Sequence, residues 1–473
     1  MSTSVLRVAV VGSGPAGFYA AGSLLGAATP VEVDMLERLP TPWGLVRLGV
    51  APDHENIKAV SRVFEATAAR EGFRFLGNVT VGHDLSHEEL LELYDAVIYA
   101  VGAQTDRHLG IAGEDLPGSW PATAFVAWYN GHPDFQDLPV DLNVEQAVVI
   151  GNGNVAVDVA RMLALTPEEL APTDTTDAAI AALTGSGISE IVMVGRRGPA
   201  QAAFTTPELK ELGQLAGADV WVDAADLELD AASAAAIAGD RAAQRNLAVL
   251  RGFAARPPTG KPKRLRLRFL LSPVAIHGHD RVESIDFVRN RLEADAAGRI
   301  LAVPTERTET VECGLVLRSI GYRGVPIPGV PFDDVRGTLR NDHGRVVDAD
   351  GHPVSKVYCT GWIKRGPTGI IGTNKKDAAE TARLVLEDLA AGRLAHRPDA
   401  TASAVDAALA RREVRPVTDA GWAAINDVET RRGKKLGRPR VKLCSWAELL
   451  DAATAEPVAE TDAAPGAALT GRV

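Results

Sequence analysis

The sequence predicts an α/β protein built from two doubly wound parallel-sheet domains, one inserted into the other, and three observations carry this. The order strand, glycine turn, helix, strand occurs near residue 10 and again near residue 150. A third glycine-rich stretch, followed by a helix, stands far downstream at 358–372. A length of 473 residues fits two or three compact units, at an ordinary ~100 to 200 residues per domain.

The first unit opens with a mostly β-branched, apolar run from Val5 to Val11, the pattern of a strand buried on both faces. Helical sequence follows from Gly17 to Leu25, then a strand from Val31 to Leu36 that ends at Glu37. Short apolar runs at Ala96–Val101 and Ala147–Ile150 read as further strands. The second of them enters another glycine turn, a helix from Val155 to Leu165 and the strand Glu190–Val194. The small, polar stretch Thr166–Gly187 reads as an exposed helix-and-loop elaboration, and 451–473, rich in alanine, threonine and acid, as a mobile tail.

Apolar residues make up 46% and charged residues 23%, which sets disorder and fibrous classes aside. A net charge of −11 argues against nucleic acid as a partner. Cys313, Cys359 and Cys444 are too far apart in sequence for a CxxC or a metal-ligand spacing, so neither a metal, an iron-sulfur cluster nor an internal dithiol is expected. Sparse cysteine, no export signal and no apolar run long enough for a bilayer predict a cytoplasmic protein without membrane insertion.

Gly12-Ser13-Gly14-Pro15-Ala16-Gly17 is a complete GxGxxG between strand and helix. Gly12 permits the tight turn, Gly14 lets the backbone approach a pyrophosphate, and Gly17 lets helix and strand pack closely. Glu37, 25 residues after Gly12, ends the next strand where a carboxylate accepts hydrogen bonds from ribose hydroxyls. A lone glycine turn would fit any α/β core; the conjunction of strand, helix and acid points to a dinucleotide.

Gly151-Asn152-Gly153-Asn154-Val155-Ala156 repeats the motif as GxGxxA, but its second strand ends in Arg196-Arg197. An acid there would repel a 2′-phosphate, whereas two arginines clamp one, which favours NADPH over NADH. The third segment, Tyr358 to Gly372, precedes a helix from Lys375 to Leu389. A helix N-terminus at Thr373 would set N–H groups against a flavin where charge gathers on reduction. That makes the first domain the FAD domain, completed by the C-terminal part: 1–103 and 326–450, with an NADP-binding domain at 104–325 inserted between them.

With these motifs in view, the chain resembles NADPH-ferredoxin reductases of the adrenodoxin reductase type, including their bacterial members. The resemblance runs to about Leu443 through VGSGPAGFYAA, ERLPTPWGLVRLGVAPDHENIK, IYAVGAQTDR, VIGNGNVAVDVARML, VGRRGPAQAAFTTPELKEL and GWIKRGPTGIIGTNKKDA. It implies FAD contacts from Ala16, Glu37, Leu45, Val81, Trp362, Gly369, Ile370 and Ile371. For NADP(H) it implies Arg107, Asn152, Gly153, Asn154, Val155, Arg196, Arg197, Glu208 and again Gly369. His54 and Glu211 match a polar pair near the family's reaction centre, with positioning and proton supply as their implied roles. By themselves the two residues equally fit a surface histidine and a solvated helix glutamate.

The implied activity is hydride transfer from NADPH to FAD, then single-electron transfer to a separate ferredoxin-type iron-sulfur protein. Reduction of a quinone or other small oxidant is the alternative enzyme reading, and a dinucleotide sensor without turnover the alternative outside enzymes. From Arg241 to Leu271 the chain holds nine basic residues and no acidic one. Arg241 and Arg245, at helical i, i+4 spacing, are the expected contacts for an acidic ferredoxin. The alternation Arg264-Leu265-Arg266-Leu267-Arg268-Phe269 predicts a strand with its arginines on one face.

Overall fold

The computed structural model describes residues 5–296 and 298–455. Seven strands form the first sheet, in the order Asn341–Asp342, Arg345–Val347, Pro353–Cys359, Ala96–Tyr99, Leu6–Val11, Val31–Leu36, Phe73–Leu76. Its five central and outer strands from Pro353–Cys359 onward pair in parallel. Six strands form the second sheet, in the order Ser119–Pro121, Leu315–Arg318, Gln146–Ile150, Glu190–Gly195, Lys263–Phe269, Ala218–Val222, all parallel.

The first sheet thus takes strands from both ends of the chain and the second takes them from between, which is the inserted, doubly wound arrangement the two glycine turns predict. The chain leaves the first unit and returns to it through one antiparallel pair, Thr105–Asp106 with Tyr322–Arg323. Leu271–His277, Ser284–Ala294 and Ile300–Glu312 make a separate antiparallel sheet beside the second one.

Each sheet is buried on both faces, which is why its strands read as near-continuous apolar runs. Val8 and Val10 point into one core and Ala9 and Val11 into another, and Val149 and Val148 divide in the same way in the second unit. Helices Pro15–Leu25 and Asn154–Ala164 start two residues and one residue earlier than the sequence reading places them, inside the glycine motifs. Helix Thr373–Ala390 covers the 375–389 prediction. Strand Lys263–Phe269 alternates as expected, with Leu265, Leu267 and Phe269 buried.

Two expectations need correction. Thr166–Gly187 is not an exposed elaboration: Thr173, Asp174, Thr175 and Thr176 are buried. Asp174 sits between two lysines of the first unit, Lys58 Nζ at 2.5 Å and Lys442 Nζ at 3.2 Å. Burial raises its pKa, but the charges of Lys442 and Lys58 outweigh that and hold the carboxyl well below the usual range. The segment is therefore a seam between the units. The expected tail likewise starts too early, because helix Trp446–Thr454, with a Ser445–Glu448 capping box, includes Asp451 to Thr454. Residues 456–473 of that expectation lie outside the described residues. No helix among the described residues is long and apolar enough to cross a membrane.

Candidate functional site

In the first fingerprint Gly12 has φ +104°, and a Cβ there would stand 2.7 Å from the Ala100 carbonyl oxygen. A Cβ on Gly17 would meet the Gly12 carbonyl oxygen at 2.1 Å, so the helix packs on the turn only because both are glycine. Gly14 is different: nothing lies within 4 Å of where its Cβ would be. Helix Pro15–Leu25 starts there with no side-chain cap and no acid in its first turn. Its N–H groups stay available, and the macrodipole favours an anion.

Glu37 Oε2 accepts from Ser13 N at 3.0 Å and Ser13 Oγ at 2.7 Å, and Oε1 accepts from Leu39 N at 3.1 Å. The acid is thereby fixed beside the glycine turn. A carboxylate has about four acceptor positions, so capacity remains for hydroxyls. The neighbouring Trp43–Gly44 loop folds over the turn, Trp43 N donating to Ser13 O at 3.0 Å. Leu45, the first residue of the short helix Leu45–Leu48 that follows, keeps 39% of its surface exposed. Val81 is half-buried in an isolated bridge with Leu85, against the core on the other face of the sheet.

The C-terminal segment reaches the same turn. Gly361 has φ +75°, and its missing Cβ would lie 2.6 Å from that of Ala16. Trp362 stacks obliquely on Tyr322, ring centroids 5.3 Å apart, and its Nε1 is buried without a hydrogen-bond partner among the described residues. Helix Thr373–Ala390 packs along Pro15–Leu25 and, like it, starts at a glycine with no side-chain cap. Ahead of it Gly369 is exposed, Ile370 leaves 64% of its surface exposed, and Ile371 packs against the core that holds Ala16.

The second fingerprint repeats the first. Gly151 has φ +137° and lacks room for a Cβ against the Ser319 carbonyl oxygen, while Gly153 faces open space and starts helix Asn154–Ala164 uncapped. Asn152 O accepts from Ala203 N and Phe204 N, both at 3.0 Å, and Asn154 Oδ1 accepts from Thr205 N at 2.8 Å. Val155 is half-buried against the core of this unit. Arg196 is exposed and Arg197 half-buried, and neither has an ion pair among the described residues. Burial, then the like charge of Arg196, lowers the pKa of Arg197. Arg107 is exposed, also without an ion pair, its N–H bonded to Gly321 O at 3.0 Å. The adjacent, unpaired guanidiniums of Arg196 and Arg197 have the chemistry to receive an anion.

Between the units a charged cluster closes. His54 Nε2 lies 2.7 Å from Glu211 Oε2 and 3.8 Å from Glu208 Oε2, both on helix Thr206–Leu212, and His54 Nδ1 is 3.9 Å from Asp158 Oδ1. Arg161 donates two hydrogen bonds to Asp53, at 2.8 and 2.9 Å, and its Nη1 lies 2.9 Å from Asp158 and 3.5 Å from both glutamates. Burial, then the charge of Asp158, pushes Glu208 up to about 7. Burial also raises Asp158; in Asp53 it is outweighed by Arg161, and that pKa falls. The arrangement can hold a proton on a carboxyl near neutral pH.

Asp53, Asp158 and Arg161 are the members that sequence reasoning missed. Their one local signal is the i, i+3 Asp–Arg pair in the helix after the second fingerprint. His54, Glu208 and Glu211 also bring ligand atoms within 4.8 Å of one another, a geometry open to a cation that no sequence spacing announces.

The basic segment divides in two. Arg268 pairs with Asp226 and Glu309, and Lys263 Nζ donates to Leu163 O at 2.7 Å. Arg241 and Arg245 are exposed on helix Arg241–Ala254, without an ion pair among the described residues. Asn246 of that helix donates to Phe204 O at 3.0 Å and accepts from Thr206 Oγ1 at 2.6 Å. These bonds fasten it to the helix that carries Glu208 and Glu211.

A family model described as pyridine nucleotide-disulphide oxidoreductase matches residues 6–192. The NADPH-ferredoxin reductase FprA of Mycobacterium tuberculosis (strain ATCC 25618 / H37Rv) is 52% identical, over 94% of this chain and 98% of its own length. The mitochondrial NADPH:adrenodoxin oxidoreductase of Salvelinus fontinalis is 42% identical, over 95% and 91%. The solved structure of Mycobacterium tuberculosis FprA in complex with NADPH superposes with a TM-score of 0.90 at 50% identity, over 95% of this chain and 99% of that one. Near-full-length identity of this order joins the two glycine-turn sheets and the cluster between them to one lineage: the chain belongs to the NADPH-ferredoxin reductase family of the adrenodoxin reductase type.

Proposed function

We propose that this chain takes a hydride from NADPH onto FAD and passes single electrons to a separate ferredoxin-type iron-sulfur protein, with FAD held by 1–103 and 326–450 and NADP(H) by 104–325. The observation that carries it is one molecule with two uncapped glycine-turn helices whose partner strands end in opposite charge, Glu37 in one unit and unpaired Arg196-Arg197 in the other.

When bound, the flavin and nicotinamide rings supply the hydride and one-electron chemistry. The chain's residues then have few tasks. Gly12, Gly14 and Gly17 open a path to the Pro15 helix for a diphosphate, and Glu37 receives ribose hydroxyls. Supporting a flavin beside them are the open space at Gly14, the apolar surface left on Leu45 and Ile370, and the partnerless Trp362 Nε1. In the second unit Arg196 and Arg197 take the 2′-phosphate end, Asn152, Gly153, Asn154 and Val155 receive the diphosphate, and Arg107, bonded to Gly321 O, contributes a further contact to the coenzyme. His54 and Glu211 hold the units together at the hydride path, and Glu208 is the group able to carry a proton there near pH 7. Arg241 and Arg245 dock the acidic partner next to that path.

The test is optical. The purified protein carries acid-releasable FAD, its yellow colour bleaches on NADPH under argon, and a ferredoxin restores it faster than a quinone at equal concentration. Bleaching followed by reoxidation with the quinone alone would overturn the ferredoxin assignment.

A further inference from the structure

A cavity of about 560 Å³ opens at the edge of the second sheet, on the outermost strand Ala218–Val222 and its neighbour Lys263–Phe269. The register sets Arg264 beside Asp219 and Arg266 beside Trp221 on one face, while Leu265, Leu267 and Val222 are buried in the core. In the strand register Arg264 also stands beside Glu190, the first residue of strand Glu190–Gly195, so the cavity lies at the opposite end of that strand from Arg196. It is therefore separate from the coenzyme fingerprint.

Its walls are strongly cationic in a chain of net charge −11. Arg256, Lys261, Arg264 and Arg266 face one carboxylate, Asp219. Asp219 is engaged in holding the loop, accepting from Thr259 N at 2.9 Å, Thr259 Oγ1 at 2.6 Å, Gly260 N at 3.0 Å and Lys261 N at 3.2 Å. Arg256 and Arg264 have no ion pair among the described residues, and Arg266 Nη1 stands 3.8 Å from Glu190, beyond hydrogen-bond reach. Arg266 Nε is buried without a hydrogen-bond partner among the described residues, and the guanidinium lies 4.8 Å from the Trp221 ring centre. On the other wall Arg256 covers Phe253 at 5.3 Å; the absent Cβ of Gly213 would stand 3.2 Å from its Nη1.

Like charges gathered with so little countercharge are relieved by an anion, and guanidinium forks match carboxylate, sulfonate and phosphate oxygens. An indole and two prolines, Pro257 and Pro258, offer a flat apolar surface beside them. The volume suits a small organic molecule. We propose that this cavity is a further ligand site, besides those for the two dinucleotides, for a flat organic anion such as an aromatic carboxylate, sulfonate or phosphate, and that Arg264 and Arg266 grip its charged end while Trp221 meets its ring.

The experiment is calorimetric titration of the FAD-loaded enzyme with naphthalene-1-sulfonate, with and without saturating NADP+. One-to-one binding of equal affinity is expected in both, and at least about tenfold weaker binding of uncharged naphthalene-1-methanol. Arg264→Gln/Arg266→Gln should lose at least about tenfold in affinity, and Trp221→Ala more than Trp221→Phe. Because Arg266 stacks on Trp221, the exposed pair Arg256→Gln/Arg264→Gln is the second variant, with the same loss expected. NADPH-dependent flavin bleaching should stay normal in both arginine pairs. No one-to-one binding, unchanged affinity in either pair, or displacement of the sulfonate by NADP+ would overturn the proposal. Displacement by an acidic ferredoxin would overturn it too, and assign the cavity to protein docking.

Discussion

His54 Nε2 meets Glu211 Oε2 at 2.7 Å across 157 positions of sequence, and the contact joins the first unit to the inserted one. Because Glu211 is 40% exposed on its side chain, solvent screens the pair, and a coupling of only about 1 kcal/mol is expected. A double-mutant cycle of His54→Ala and Glu211→Ala, read by denaturant unfolding of the FAD-loaded protein, measures it. Additive single changes would mean that the contact holds nothing together.

Glu208 gives the cluster a pH dependence. Its folded pKa of about 7 stands above the ordinary 4.5, so the folded state binds more protons between those values. Stability from this group is fully present below about 4.5 and is lost as pH rises through about 7. Glu208→Gln should therefore be more stable than the parent at pH 8 by on the order of 2 kcal/mol and melt higher, with the gap closing toward pH 5. Melting curves across that range check the sign, and a gap that widens toward acid would refute it.

Replacing Arg196 and Arg197 by neutral residues tests the proposed 2′-phosphate clamp. Hydrogen bonds to charged groups are worth ~1.5 to 3 kcal/mol each, so NADPH should lose at least about tenfold in affinity while NADH changes little. Equal losses for both coenzymes would show that the arginines serve the fold.

Reversal of Arg241 and Arg245 to glutamate should slow ferredoxin reduction relative to reduction of a neutral dye and flatten its salt dependence. Stopped-flow rates at several ionic strengths measure both. An unchanged ratio would locate docking elsewhere.

Much of the fold was legible because it is written locally. Leu6–Val11 announces a buried parallel strand by its β-branched run, and the positive φ of Gly12 and the fit of Gly17 against the Gly12 carbonyl oxygen are backbone requirements met within a few residues. Glu37 and Arg196-Arg197 stand at strand ends, where register fixes their place. What stayed hidden depends on contacts distant in sequence. Arg161 and Asp158 look like an ordinary solvated helix pair, yet Asp53 of the other unit makes them a buried centre. Thr173–Thr176 is polar enough to read as surface. It is buried because Thr173 Oγ1 bonds to Leu170 O at 2.8 Å and to Thr175 Oγ1 at 2.7 Å, while Arg438 Nε reaches Thr173 O at 2.8 Å.

The ribbon of Thr105–Asp106 and Tyr322–Arg323 bears on synthesis as well as shape. During translation the N-terminal strands emerge first, but Ala96–Tyr99 gains its second neighbour only when Pro353–Cys359 leaves the ribosome. All strands of the six-stranded sheet precede that moment. The expected order is that the later-begun unit is completed first, its two ends brought together, and the earlier-begun unit waits as a partly exposed sheet edge. Ribosome-stalled chains ending near residue 370, which expose all six strands of the second sheet while Pro353–Cys359 is still in the exit tunnel, should then protect 119–318 from protease while leaving 6–99 cleavable; protection in the reverse order would exclude it.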